Sequence, residues 1–164
     1  MDAHRALLKP EFVARLEEVY GSPNQNAFGS AVFFDPAANP PSDSILDETA
    51  LARYRFFCGK TWEQFGEENW LNTWKTVYVR RWNAQADIVS ELTMIKDSDA
   101  RQSASMLLDT NSLPNCHEVL AQAFDIEAIS DLKVFKIGDG QAMSGVLIAG
   151  QYPDGVLSLV FLMD

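Results

Sequence analysis

Side chains suited to acid–base or nucleophilic chemistry are few in this chain. It holds two histidines, His4 and His117, and two cysteines, Cys58 and Cys116. Histidine is the usual general acid or base near neutral pH, so the supply is thin. Cys116 and His117 are adjacent, but neighbours on a helix point about 100 degrees apart and adjacency does not pair a nucleophile with its base. A zinc-type site needs further ligands at recognisable spacing, and none is present. Gly138-Asp139-Gly140 has the glycines of a phosphate cradle. A cradle opens a helix and carries a Lys and a Ser or Thr, whereas these glycines separate two apolar runs. They read as a hairpin turn. No catalytic residue, metal or cofactor is assigned.

Paired acids are plentiful: Glu17-Glu18, Glu67-Glu68, and Asp97 with Asp99. Two carboxylates can run glycoside hydrolysis when they face each other across a cleft, but spacing alone does not show that, and a solvated acidic face is the simpler reading. The aromatic residues are more distinctive. Trp62, Phe65, Trp70, Trp74, Tyr78 and Trp82 include all four tryptophans, beside Glu63, Glu67 and Glu68. Tryptophan is usually core. The alternative is an aromatic anchor rimmed by acids, the composition of a protein-binding hot spot, with Trp62, Glu67, Glu68, Trp70 and Trp74 as its contact residues.

The elements that must position these groups follow from pattern and punctuation. Pro10, then EFVARLEEVY, then Gly21 predicts a first helix with Phe12, Val13, Leu16, Val19 and Tyr20 on one face. Ala31 to Phe34 reads as a short buried strand. Asp35 to Ser44, with Pro36, Pro40 and Pro41, reads as a surface loop. Asp47 is the expected N-cap of a helix carrying Leu51, Tyr54, Phe57 and Cys58, and Gly59 stops it. Thr61 with Gln64 resembles a capping box. The stretch Trp70 to Trp82 reads as helix to about Trp74 and leans to strand after it, because Trp74, Thr76 and Tyr78 alternate with Lys75, Val77 and Val79. Ala84 to Lys96 predicts a helix with Ile88, Leu92 and Ile95 inward. Asp99 to Leu108 continues or restarts it, and Asn115 caps a further helix through Val119, Leu120 and Phe124.

Leu132 to Asp164 predicts a three-stranded antiparallel meander, with turns at Gly138-Asp139-Gly140 and Pro153-Asp154-Gly155. The last strand is apolar on both alternate faces: Val156, Val160 and Leu162 on one, Leu157, Leu159, Phe161 and Met163 on the other. A strand covered on both sides belongs inside a sheet, so this one is expected to be central. The fold class is therefore α+β, helices on a mainly antiparallel sheet, in a single domain over residues 1–164.

Composition limits the function classes. The net charge is −10 over 164 residues. Residues 87–131 hold nine acids against Lys96 and Arg101, and so account for seven of the ten excess charges. A field of that sign repels nucleic acid and anionic membrane, and it suits a protein partner with a basic surface. No apolar run reaches the ~18 residues of a membrane span, the N-terminus does not read as a signal peptide, and two cysteines do not make a disulfide scaffold. A cytoplasmic location is expected.

The segment VFKIGDG…MSGVLIAGQYPDGVLSLVFLMD resembles the end of nuclease A inhibitor-like proteins, over about a fifth of the chain. Those also finish with a Val-Phe/Tyr-Lys/Arg-Ile/Leu-Gly strand, a Val/Ile-rich strand ending in Gly, an Asp-Gly turn and a last apolar strand. The resemblance implies an acidic α/β/α sandwich that plugs a nuclease active site with carboxylates and its C-terminal end. That family closes with a polar, Thr-containing tail. Here the tail is Phe161-Leu162-Met163-Asp164, so only the carboxylate of Asp164 is carried over. The expected function is non-enzymatic: an acidic, immunity- or inhibitor-type domain that binds a basic protein. The alternatives are a small-ligand or enzymatic domain with a carboxylate-lined pocket, and a structural subunit of a larger assembly.

Overall fold

Proline at the first turn and glycine just past the last one delimit the first helix, α1 (Glu11–Tyr20). Pro10 has its φ preset at −59°, and Gly21 ends the helix at φ +105°. Val13, Leu16 and Tyr20 are buried on the expected face. The computed structural model describes residues 10–25, 28–36, 45–80, 85–109, 116–140 and 143–163. The expectations placed on His4, Pro40, Pro41, Trp82, Ala84, Asn115 and Asp164 lie outside those residues.

Strand β1 (Gly29–Pro36) follows, then α2 (Ile45–Cys58). Asp47 lies in the first turn of α2 and not at its cap, because the helix already starts at Ile45; the carboxylate instead pairs with Lys133 at 2.8 Å. Gly59 and Gly66, both at positive φ, cut the next stretch into α3 (Lys60–Phe65) and α4 (Glu67–Leu71). The capping box expected at Thr61 and Gln64 does not form. Gly59 occupies the cap position, and the Thr61 hydroxyl donates backwards to the carbonyl of Cys58 at 2.5 Å. Chain direction then changes to strand β2 (Lys75–Val79).

The helix expected over Ala84 to Lys96 is shorter, α5 (Ile88–Thr93). Asp87 caps it by accepting from the Ser90 N–H at 3.2 Å. A second aspartate cap, Asp97 accepting from the Ala100 N–H at 3.0 Å, restarts the chain as α6 (Ser98–Leu108). Helix α7 (Cys116–Phe124) leads into the meander β3 (Asp131–Gly138), β4 (Ser144–Tyr152) and β5 (Gly155–Met163).

The sheet has the order β1-β5-β4-β3-β2, and every neighbouring pair is antiparallel. The last strand therefore lies inside the sheet, paired to β4 on one side and to β1 on the other. Its two faces enter two different cores. Leu157 and Leu159 pack with α1 and α5–α7, whereas Val156, Val160 and Leu162 pack with α2–α4. Helices thus cover both sides of one sheet. Gly138 is required where β3 turns: at φ +107°, a Cβ there would run into the Met143 carbonyl oxygen.

Candidate functional site

The aromatic cluster assembles around Tyr54 of α2. Its hydroxyl donates to the Trp70 carbonyl and accepts from the Gly138 N–H, both at 2.9 Å, so one phenol ties α2 to α4 and to the β3 turn. Trp62 meets the Tyr54 ring edge-on at 5.1 Å, and Trp74 stacks on it at 5.6 Å. Trp62 and Trp70 stack at 6.1 Å, and Trp74 lies flat on Phe135 at 4.6 Å. The Trp70 indole N–H donates to the Thr61 carbonyl at 3.0 Å.

Trp62 is 5% exposed and Trp70 fully buried. Their faces are spent on the core, Trp74 is half-buried against Phe135, and α4 leaves only Glu67 and Glu68 exposed among the five residues expected to make contacts. Glu67 is paired to Arg55 at 2.6 Å. The rings that reach solvent at this corner are Phe65 and Phe56, at 50% and 40% exposure. Phe65 rests edge-on against Trp70. Burial pushes the Cys58 thiol up to about 12, which leaves it a poor nucleophile. Cys116 and His117 both turn toward one acceptor, the Leu108 carbonyl, at 3.3 and 2.9 Å, and not toward each other. Among the described residues, no group of three or more His, Cys, Asp or Glu side chains is placed to hold a metal ion.

On the opposite side of the sheet the polar groups are organised differently. Arg80, just past β2, has a 7% exposed side chain and inserts between α5 and the end of α7. Its Nη2 reaches Glu91 at 2.6 Å and Asp125 at 3.0 Å, its Nε donates to Glu91, and its Nη1 donates to the Phe124 carbonyl at 2.6 Å. The Tyr78 hydroxyl also donates to Glu91. Burial pushes the Glu91 carboxyl up, but the hydrogen bonds from Arg80 and Tyr78 outweigh it and hold the pKa below the ordinary glutamate value. Asp97 accepts Lys75 at 2.9 Å and Lys136 at 3.2 Å. Burial works against its charge, yet the Ala100 N–H and the two lysines bring it down to about 2.

Sequence reasoning missed this cluster, although one signal was present. Glu91 shares the spacing of Ile88, Leu92 and Ile95, so it occupies the inward face of α5, where an acid must find a partner. The partner is 11 positions away on a different element. Beside Arg80 opens a cleft of about 420 Å³, walled by Ile126 and Ile129 and reached by Asp125, Ser130 and Asp131.

The helical layers differ in charge as well as in ring content. Helix α1 and residues 85–130 carry eleven acids (Glu11, Glu17, Glu18, Asp87, Glu91, Asp97, Asp99, Asp109, Glu118, Asp125, Glu127) against Arg15, Lys96 and Arg101. Residues 45–71 carry five (Asp47, Glu48, Glu63, Glu67, Glu68) against Arg53, Arg55 and Lys60. The sheet bases Lys75, Arg80 and Lys136 form ion pairs with Glu91, Asp97, Asp99 and Asp125, three positive charges against four negative ones. Glu11, Glu18, Asp87, Asp109, Glu118 and Glu127 remain exposed on this side. No helix among the described residues is long and apolar enough to cross a membrane. Compared with protein-family models, with curated proteins and with solved structures, the chain matches none.

Proposed function

We propose that the chain is a non-enzymatic binding domain whose acidic helical layer docks a protein with a basic surface, as an immunity or inhibitor protein does. The observation that carries this is the segregation of charge: the outer surface of α1 and α5–α7 keeps its acids exposed, while the α2–α4 side is nearly balanced. Helices α1 and α7 bring Glu18 and Glu118 to one groove around Arg15. A predominantly acidic surface accelerates encounter with an oppositely charged partner and rejects like-charged ones. Capture from the source organism's lysate at low and at high salt tests it. The expected result is a protein with a basic surface, retained at low salt and released at high salt. Retention that ignores salt, or of acidic proteins only, would count against the proposal.

A further inference from the structure

The cleft beside Arg80 has a composition of its own. We propose that it binds an organic cation: a protonated amine or a guanidinium on a short apolar chain. Its volume, about 420 Å³, falls within the roughly 300–1,000 Å³ of small-ligand sites. Ile126, Ile129 and Leu132 supply the walls for the chain, and Asp125, Ser130 and Asp131 supply acceptors for the head.

Three features favour a cation over an anion. First, Arg80, the one base among the described residues that line the cleft, is already engaged. Arg80 gives its Nε to Glu91, its Nη2 to Glu91 and Asp125, and its Nη1 to the Phe124 carbonyl. An anion entering would find this guanidinium committed, and would face Asp125, Glu127 and Asp131. Second, the cleft begins where α7 ends. Asp125, Ile126 and Glu127 follow directly on Phe124, so the negative end of the helix dipole adds to the carboxylates. Third, Asp125 is incompletely neutralised. Its Oδ1 accepts from Arg80 Nη2 at 3.0 Å and from the Ile88 N–H at 2.8 Å, and neither bond uses Oδ2. Burial above all, with the charges of Glu91 and Asp87 behind it, holds this carboxyl above the usual aspartate range, although Ile88 and Arg80 pull it down. A cation in the cleft supplies the missing charge.

Such a head group can arrive on a free metabolite or on an arginine or lysine of the partner proposed above. Titration of the full chain, followed by amide ¹H–¹⁵N shifts, separates the sources. Agmatine represents the free cation, acetyl-Gly-Arg-Gly-amide represents the partner's side chain, and inorganic phosphate controls for an anion site. Saturable shifts at Ala86, Ile126, Ser130 and Asp131 are expected with agmatine, with the peptide, or with both. Saturation by agmatine alone assigns a metabolite, and saturation by the peptide assigns a partner side chain. The variant Glu127→Gln/Asp131→Asn leaves the Arg80 cluster intact and is expected to weaken binding several-fold. Shifts confined to α1, equal shifts with phosphate, or unchanged affinity in that variant would overturn the proposal. No protein partner enters this titration, so its failure leaves the docking proposal standing, and loss of salt-sensitive capture leaves the cleft proposal standing.

Discussion

The layer of α2, α3 and α4 is held to the sheet by rings. Tyr54, Trp62, Trp70, Trp74 and Phe135 stack or meet edge-on, and the Tyr54 hydroxyl and Trp70 indole N–H that go inside with them are satisfied by backbone carbonyls and an N–H group. The layer of α1, α5, α6 and α7 is held by aliphatic side chains and by ions. Val13, Leu16, Leu92, Leu107 and Leu120 fill it, and Arg80 with Glu91 and Asp125 plugs its end. One sheet thus carries two faces whose stability depends on different physics. Among the described residues, the ring-packed interior buries no carboxylate. The ion-packed side answers to pH, and its remaining acids are what the molecule shows to its surroundings.

Strand β5 belongs to both layers, so removing its end should break the comparison altogether. Truncation after Val160 deletes buried Leu162 together with pairing to both β1 and β4. Soluble expression is expected to be lost, and a truncated chain that unfolds cooperatively would show that the end of β5 is dispensable.

Within the layers, two variants of similar cost should differ in how they are rescued. Trp70→Ala empties a fully buried site and is expected to cost about 3–5 kcal/mol in urea unfolding. Arg80→Ala leaves Glu91, whose side chain is 4% exposed, charged and unpaired, at roughly 3–5 kcal/mol. Arg80→Met with Glu91→Leu and Asp125→Asn removes all three charges of the cluster and should recover most of that loss. A triple variant as unstable as Arg80→Ala would mean that the ion cluster itself, and not the orphaned charge, holds α5 in place.

Acid should separate the layers further. Asp97 titrates at about 2 in the folded chain against an ordinary value of 3.8. Its contribution is present above the unfolded value and is lost as pH falls from there through the folded one. Glu91, also lowered, adds in the same direction. Unfolding free energy should therefore decline between pH 4 and pH 2, and Asp97→Asn should flatten part of that slope. A Trp70 variant should leave the slope unchanged.

The smallest effect on stability is expected at the surface. Glu18→Lys replaces an exposed acid and should stay within about 0.5 kcal/mol, while Glu11→Lys and Glu118→Lys, which also reverse a first-turn charge of α1 and α7, should each cost no more than about 1 kcal/mol. A larger shift in the urea midpoint would mean that these charges support the fold.

Much of this architecture was legible in the sequence because local signals agreed with it. The meander turns, the proline and glycine around α1, and the two-faced apolarity of Val156 to Met163 each fixed an element by short-range chemistry. The tryptophans were visible as a group, but their exposure was not. Whether Trp62 and Trp70 face water depends on how α3 and α4 fold back onto Tyr54, a contact set by Gly59 and Gly66 as hinges. The acid-rich stretch was visible too. That Lys75, Arg80 and Lys136 return from β2 and β3 to pair with four of its nine acids is long-range pairing that no spacing rule contains. The cleft escaped notice for the same reason: its wall comes from the end of α7 and the start of β3, and Arg80 reaches it from just past the edge strand β2.

Paired charge reversal tests the docking proposal most directly. One variant carries Glu11→Lys, Glu18→Lys and Glu118→Lys on the acidic layer, and the other carries Glu63→Lys, Glu67→Lys and Glu68→Lys on the aromatic one. Both are used to capture proteins from the same lysate at low salt. The basic partner held by the unmodified chain should be lost from the first variant and retained by the second. A partner retained by the first and lost from the second would place the contact surface at Phe65 and α4, and would contradict the assignment of docking to α1 and α5–α7.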